Sequence, residues 1–356
     1  GQNNVQGACD MGALPNMFCG YQKVDSPEIS KKFADFWGVD SIPGKPGLKI
    51  AEMINGLPTG RLKAFWIFGE NLVATEPDPR HVSHCLNSAE FLVVQDIFRN
   101  ETTPFADVIL PSASWSEDDG TFTNTERRVS RVRKIKEAPG EARPNWWIFK
   151  QVAKRFGHEW PSNSGRELWD NEISVLCPAF AGIKFSRLDN IGGIQWPCPN
   201  EEHPGTPILH KDGKFSRGKG LFQAIDWVPS SEQPDGEYPM VLSSGRRLVH
   251  YHSRTQTGRA KGLNERMPEE FADISVQDAE RLGISHGEVI RVKSRRGEVR
   301  IKANVSKRIA PGMVWMSFHF WETNANHLLS GDLKHFDPDT MTPSFKACAV
   351  RIEKIA

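Results

Sequence analysis

Short apolar runs dominate the first third of the chain, and their spacing predicts a sheet. Residues 62–68 (LKAFWIF), 91–94 and 106–110 are each apolar over a strand's length, and 79–86 reads as a helix behind an Asp78 cap. Strand, helix, strand in this rhythm predicts a right-handed crossover and a parallel sheet. A short amphipathic helix is expected over 29–37, and a second from Arg143-Pro144-Asn145 to Phe156, stopped by Gly157. Asn145 is its N-cap by position.

From Tyr238 onward the pattern changes to alternation. Residues 289–292 and 299–305 alternate apolar and polar about Ser294-Arg295-Arg296-Gly297, a hairpin signature. A short helix over 276–282 carries a Ser275/Asp278 capping box and a Gly283 stop, and 313–320 is another strand. Short strands with one small helix predict a barrel of about 120 residues. The fold class is therefore α/β: a Rossmann-like parallel-sheet domain over 1–157, an irregular linking segment over 158–235 with a helix near 166–176, and a C-terminal β-barrel over 236–356. Residues 1–24 lack a sustained period and read as a surface wrap, and 115–136 as a long hairpin.

In open parallel sheets ligands bind beyond the carboxyl ends of the strands. Gly69-Glu70-Asn71, Gln95-Asp96 and Ser112 each follow a predicted strand and would line one crevice; no GxGxxG is present. The densest chemistry lies at 243–258, SSGRRLVHYHSRTQTG, which follows an apolar run and carries Arg246, Arg247, His250, His252 and Arg254 with Tyr251 among them. Guanidinium forks and imidazoles suit a polyphosphate or nucleotide, although a solvated basic hairpin has the same composition. Trp321, Asn324, Asn326 and Lys346 fall in loops where ordinary turn chemistry accounts for them equally well.

Charge adds an exclusion. Lys plus Arg number 45 against 44 Asp plus Glu, which argues against nucleic acid or an anionic membrane as the main partner. No run reaches the roughly 18 apolar residues of a membrane span. The six cysteines form no Cys-x-x-Cys pair, so an internal zinc or iron–sulfur site is not expected. Their reduced state fits a cytoplasmic setting, with a periplasmic one left open. The chain does not begin with Met and reads as a piece of a longer protein.

Taken in order, GQNNVQGACDMGALPN at the start, FGEN at 68–71, VVQDIF…ETTPFADVILPSASWSEDDGTFTNTERRV at 93–129 and the 243–258 stretch resemble the catalytic alpha subunit of molybdenum- or tungsten-dependent formate dehydrogenase, of the dimethyl sulfoxide reductase superfamily. The resemblance covers the whole chain and implies its C-terminal half. It implies a bis-(molybdopterin guanine dinucleotide) cofactor with Mo or W, a six-stranded barrel of double-psi type, and reversible oxidation of formate to CO2. It also implies an upstream half carrying a 4Fe-4S cluster, the metal ligand and an arginine, with iron–sulfur electron-transfer subunits as partners. On this likeness Gln2 would lie near the metal. Gly69, Glu70, Asn71, Thr75, Gln95, Asp96, Ser112 and Asn145 would hold one pterin guanine dinucleotide. Ser244, Gly245, Arg246, Leu248, His250, Tyr251 and His252 would grip pterin and phosphates, with Asn326 and Lys346 donating to them. Some relatives carry aspartate where Asn71 and Asn145 stand; an amide accepts one guanine N–H without charge assistance, so the guanine partner stays open between these and Asp96. Phe345 replaces a tyrosine of many relatives. Two other readings share these features: another bis-pterin enzyme such as a nitrate reductase, and a non-catalytic pterin-domain scaffold in an electron-transfer complex.

Overall fold

A computed structural model describes residues 2–215 and 217–355, so Gly1 of the opening motif lies outside the described residues. The chain divides into two compact units, each built from two separated stretches rather than from consecutive segments: Gly1–Leu48 with Pro111–Ala224, and Lys49–Leu110 with Ile225–Ala356. Among the described residues no helix is long and apolar enough to cross a membrane.

In the barrel-bearing unit, the strand β1 (Ala64–Phe68) pairs in parallel with β2 (Phe91–Asp96), in register from Ala64 opposite Phe91 to Phe68 opposite Gln95. The third strand, β3 (Val108–Pro111), lies on the other side of β2. The crossover is a single turn, Leu72–Thr75, followed by the helix Pro79–Asn87. Asp78 caps that helix, its carboxylate accepting from the His81 N–H at 3.3 Å. Val82, Cys85 and Leu86 bury against Ile67, Leu92 and Val94. A central parallel strand is covered on both faces, which is why 92–94 reads as an unbroken apolar run.

Six strands close the barrel: β4 (Met240–Gly245), β5 (Phe271–Ser275), β6 (Val289–Lys293), β7 (Glu298–Ser306), β8 (Met313–Ser317) and β9 (Cys348–Lys354). Their order is β5-β7-β6-β9-β4-β8, with β8 returning to β5. Two pairs, β5 with β7 and β4 with β8, are parallel. Alternate residues point inward (Met240 and Leu242; Val299, Ile301 and Ala303), and closure leaves no open sheet edge. The predicted cap holds, Ser275 Oγ accepting from the Asp278 N–H at 2.9 Å.

Just past β4, the Arg247 guanidinium sits 3.7 Å from the Phe271 ring centroid and 4.4 Å from that of Trp315. It donates to Glu270 at 2.7 Å, Asp273 at 3.1 Å and the Phe271 carbonyl at 2.7 Å. The Glu270 side chain has no exposure. Burial pushes its carboxyl upward, and Arg247 opposes that shift. One of the arginines of the basic stretch is therefore committed to the barrel wall.

The other unit departs most from the sequence reading. The helix expected near 166–176 is present over 165–176, with a wide turn at Trp169–Ile173, but the segment that contains it is not an irregular link. A second helix, Phe185–Ile191, follows, and Ile194–Gln195 joins Gly120–Thr123 and Arg128–Val132 in a small sheet. Trp169, Phe180, Ile183, Phe185 and Leu188 bury together as a core of their own. Proline and glycine punctuation hid this, because aromatic side chains fill a core from short elements without any sustained period. Residues Val5–Asp10 form a helix where a wrap is expected. Asn145 is the first helical residue and Pro144 occupies the cap position, so the capping role assigned to Asn145 does not hold.

Replacing Arg247 by Met should destabilise the barrel-bearing unit by about 3–5 kcal/mol, because Glu270 is then buried without its cation. Arg247→Lys should restore only part, since the fork and the stack are lost. Urea unfolding midpoints check this; an unchanged midpoint in Arg247→Met removes the ion pair from the account.

Candidate cofactor site

Gly69 ends β1 with φ +64°, a left-handed conformation that turns the chain off the sheet. Glu70 follows, its Oε1 accepting from the Asn71 N–H at 3.0 Å and the Thr75 hydroxyl at 2.8 Å. Asn71 is engaged at both ends of its amide: Nδ2 donates to Glu101 at 2.6 Å and Oδ1 accepts from Thr102 at 3.0 Å. Gln95 is buried at the end of β2. The Asp96 carboxylate accepts from the Ile97 N–H at 2.6 Å and Asn100 at 2.8 Å.

Burial raises the carboxyls of Glu70 and Asp96. Glu76, one turn further on, is pushed up to about 7, first by burial and then by neighbouring Glu70. Two carboxyls, Glu70 and Asp96, thus stand at the strand ends in a poorly solvated place, with Glu76 beyond the turn close enough to Glu70 to feel its charge.

The barrel supplies the opposite charge. Gly245 packs so tightly on Trp315 that a Cβ would come within 2.6 Å of the ring, so the loop can leave β4 there only with glycine. Ser244 is buried, its hydroxyl donating to the Phe345 carbonyl at 2.7 Å, and the Lys346 ammonium donates to the Ser244 carbonyl. His250 is buried with both ring nitrogens used, at 3.2 Å from Thr257 Oγ1 and 2.9 Å from the Met267 carbonyl. These residues shape the loop. Arg246 stacks 5.2 Å from the Phe318 ring and makes no hydrogen bond to another described residue. Leu248 is fully exposed and Tyr251 partly so. His252 takes φ +48° and is pushed down by burial and then by Arg246. Nearby His319, pushed down to about 4 chiefly by burial, accepts from the Arg247 N–H at 2.8 Å.

Sheet and barrel meet within this unit. Asn326 Nδ2 donates to the carbonyls of Ala74 and Thr75, both at 2.9 Å, and Asn324 Nδ2 to Ala74 at 2.8 Å. The Asn326 amide donor expected to reach a ligand is therefore spent on the sheet, and its buried Oδ1, an acceptor, is what remains unpartnered. Arg259 stacks 4.3 Å from Phe98 and donates to the Arg99 carbonyl at 3.1 Å. A cavity of about 360 Å³ opens here, between Arg99, Asn100 and Glu101 after β2, Ser253, Arg254, Thr255, Gly258 and Arg259 around the basic loop, and His319 and Trp321 after β8. Asn100, Glu101, Arg259 and His319 were not singled out from sequence. Their signal is position, a few residues beyond the strand ends on which that reading stopped.

Ser112 and Asn145 belong to the other unit. The Ser112 hydroxyl is buried without a partner, as a ligand-contacting group would be before its ligand arrives, and Asn145 opens a helix. Gln2 lies half-buried in that unit. No group of three or more histidine, cysteine or acidic side chains suited to a metal is found among the described residues. Within the barrel-bearing unit the donor set fits a nucleotide-bearing cofactor: acceptors at the strand ends, an unbonded guanidinium at Arg246, and a buried unpartnered oxygen at Asn326.

Comparison with known proteins agrees with this chemistry. Residues 1–155 match the molybdopterin oxidoreductase family model, and residues 240–349 match the molydopterin dinucleotide binding domain. Both matched domains are those of molybdopterin-dependent enzymes, and the chain is homologous to formate dehydrogenase alpha subunits. It is 46% identical over its whole length to the F420-dependent formate dehydrogenase subunit alpha of Methanocaldococcus jannaschii, covering 52% of that protein, and 40% identical to formate dehydrogenase H of Escherichia coli, covering 50%. The chain thus spans about half the length of these relatives. The acetylene hydratase of Pelobacter acetylenicus shares the fold, with a TM-score of 0.69 at 16% identity over 93% of this chain and 50% of that one.

The raised Glu76 carboxyl has a pH consequence. The folded state holds this proton more tightly than the unfolded one, so its contribution is complete below the ordinary value of 4.5 and is lost as pH rises through about 7. Unfolding midpoints should fall across that window, and Glu76→Gln should flatten this part of the profile. An equally steep profile in the variant would show that another group carries it.

Proposed function

We propose that this chain is the pterin-dinucleotide-holding part of a molybdenum- or tungsten-dependent formate dehydrogenase alpha subunit, acting on formate and CO2. The observation that carries the reading is the convergence, in one compact unit, of the loop after β2 with the basic loop after β4 around a cavity, the loop after β1 being tied to the former by the Asn71–Glu101 hydrogen bond. It is supported by identity of 40–46% to formate dehydrogenase alpha subunits along the entire chain. When bound, the metal–pterin group supplies the redox centre that takes up the two electrons of formate oxidation.

The residues divide the work of holding it. Asp96, Glu70 and the Asn326 oxygen are acceptors for the N–H groups of guanine and pterin, and Arg246 is the free cation for a phosphate. Gly69, Thr75 and Gln95 line the dinucleotide, and the likeness to the family assigns Ser112 and Asn145, in the other unit, to cofactor binding as well. Leu248 and Tyr251 cover apolar ring surface, while Ser244, Gly245, His250, His252 and Lys346 fix the loop that carries them. By the same likeness Gln2 would stand near the metal. Iron–sulfur clusters of the rest of the subunit and of partner subunits would supply the route for the electrons.

Purified full-length subunit should reduce a dye acceptor with formate and not oxidise the reduced dye with nitrate; nitrate turnover without formate turnover replaces the reading with a nitrate reductase. Metal and pterin analysis separates both from a non-catalytic scaffold, which should contain neither. Asp96→Asn should weaken pterin dinucleotide retention roughly 10–100-fold, the effect of losing a charge-assisted hydrogen bond of about 1.5–3 kcal/mol. Full retention in that variant would return the guanine contact to Asn71 or Asn145.

A further inference from the structure

Outside the cofactor site, one cluster has the makings of a chemical site that the proposed function does not use. In the unit formed by Gly1–Leu48 and Pro111–Ala224, Cys19 and Cys177 are both buried free thiols whose sulfurs lie 3.0 Å apart, the Cys177 S–H donating to Cys19. They are 158 residues apart in sequence, so the contact joins the N-terminal stretch to the helical one.

The pair belongs to the aromatic core of this unit, yet two polar side chains, Gln22 and Lys32, reach it. Gln22 Nε2 lies 3.8 Å from the Cys177 sulfur while donating to the carbonyls of Cys19 at 2.8 Å and Leu176 at 3.0 Å. The Lys32 ammonium, bonded to Gln22 Oε1 at 2.9 Å, stands beside the pair. Cys19 is pulled toward the thiolate, first by the Cys177 S–H and also by Lys32, whereas Cys177 is pushed up by the same shared bond. Two thiols of unequal acidity in contact are the arrangement of an attacking and a resolving cysteine. Cys19 retains slight exposure and Cys177 none, which fixes the order of attack.

We infer that Cys19 and Cys177 form a redox-active dithiol that small hydroperoxides convert to an intramolecular disulfide. The Cys19 thiolate attacks a peroxide oxygen; the O–O bond breaks, hydroxide leaves and Cys19 becomes a sulfenic acid. The Cys177 sulfur then attacks the Cys19 sulfur, an S–S bond forms, and the sulfenic hydroxyl leaves with the Cys177 proton as water. Two thiols lose two electrons and two protons, and hydrogen peroxide becomes two waters. The bond constrains the unfolded chain across a long loop and so fastens the N-terminal stretch to the helices it packs on.

The test is peptide mapping by mass spectrometry, without reductant, of the full-length subunit treated with graded hydrogen peroxide. The expected product is a Cys19–Cys177 linked peptide about 2 Da lighter than the two reduced peptides together, reversed by dithiothreitol. The unfolding midpoint should rise on oxidation, and this rise should vanish in Cys19→Ser. Cys19 carried on to sulfinic acid without a linked peptide overturns the inference, as does preferential linkage to Cys198. An unchanged midpoint on full linkage overturns the fastening. The wild-type map decides even if Cys19→Ser fails to fold.

Discussion

Two buried asparagines hold the candidate site together. A one-turn helix leaves its carbonyls without intrahelical partners, and the turn Leu72–Thr75 directly follows the loop that ends β1. The amides of Asn324 and Asn326 donate to the carbonyls of Ala74 and Thr75 from the barrel side. An orphaned buried carbonyl costs about 1–3 kcal/mol, so the sheet loop and the barrel are held in one register by groups that have no good alternative. The Asp78 N–H donating to the Asn326 carbonyl at 3.0 Å extends the same seam to the start of the next helix. This seam joins the turn after β1 to the segment after β8 and so holds the sheet ends and the barrel in a single body.

Within that body the basic loop is less free than its composition implies. Arg247 is consumed by Glu270 and Asp273, Arg254 stacks 4.2 Å from Phe320 and donates to Asn264, and Arg259 stacks on Phe98. A guanidinium keeps its charge while lying on an aromatic face, so these arginines both build the loop and bias its potential. Arg246 alone among these four makes no hydrogen bond to a described residue. A cluster of cations in sequence thus resolves into a scaffold and a small number of available donors.

How much of this was legible depended on period. The parallel pair β1/β2 and the barrel strands were readable because side chains alternate or run apolar over strand length, and capping at Asp78 and Ser275 is local chemistry. The core around Trp169, Phe180 and Phe185 was not, because its elements are short and its aromatics come from far apart. Of the cavity, the basic loop was visible by position, whereas its sheet-side lining, Arg99, Asn100 and Glu101, lies beyond the strand ends singled out from sequence. Which side-chain atoms remain free was not visible either: Asn326 and His250 have the right chemistry, yet their donors or ring nitrogens bond to backbone carbonyls and a hydroxyl distant in sequence. The interleaving of the two units was also invisible, since no local signal marks a chain that leaves a unit and later returns.

Charge is separated across the site although the whole chain is nearly neutral. Glu70 and Asp96 stand at the sheet ends with Glu76 beyond the following turn, and burial raises all three. Arg246, Arg254 and Arg259 come from the barrel side. A ligand suited to both must be rich in N–H donors at one end and anionic at the other. A free phosphate or a carboxylic acid satisfies only the barrel side, and a cation satisfies only the sheet ends. A purine linked through phosphates to a second ring satisfies both, because guanine presents adjacent donors while the pyrophosphate carries the charge. The raised carboxyls sharpen the match: a carboxylate held in a poorly hydrated place gains most when a donor replaces the missing water.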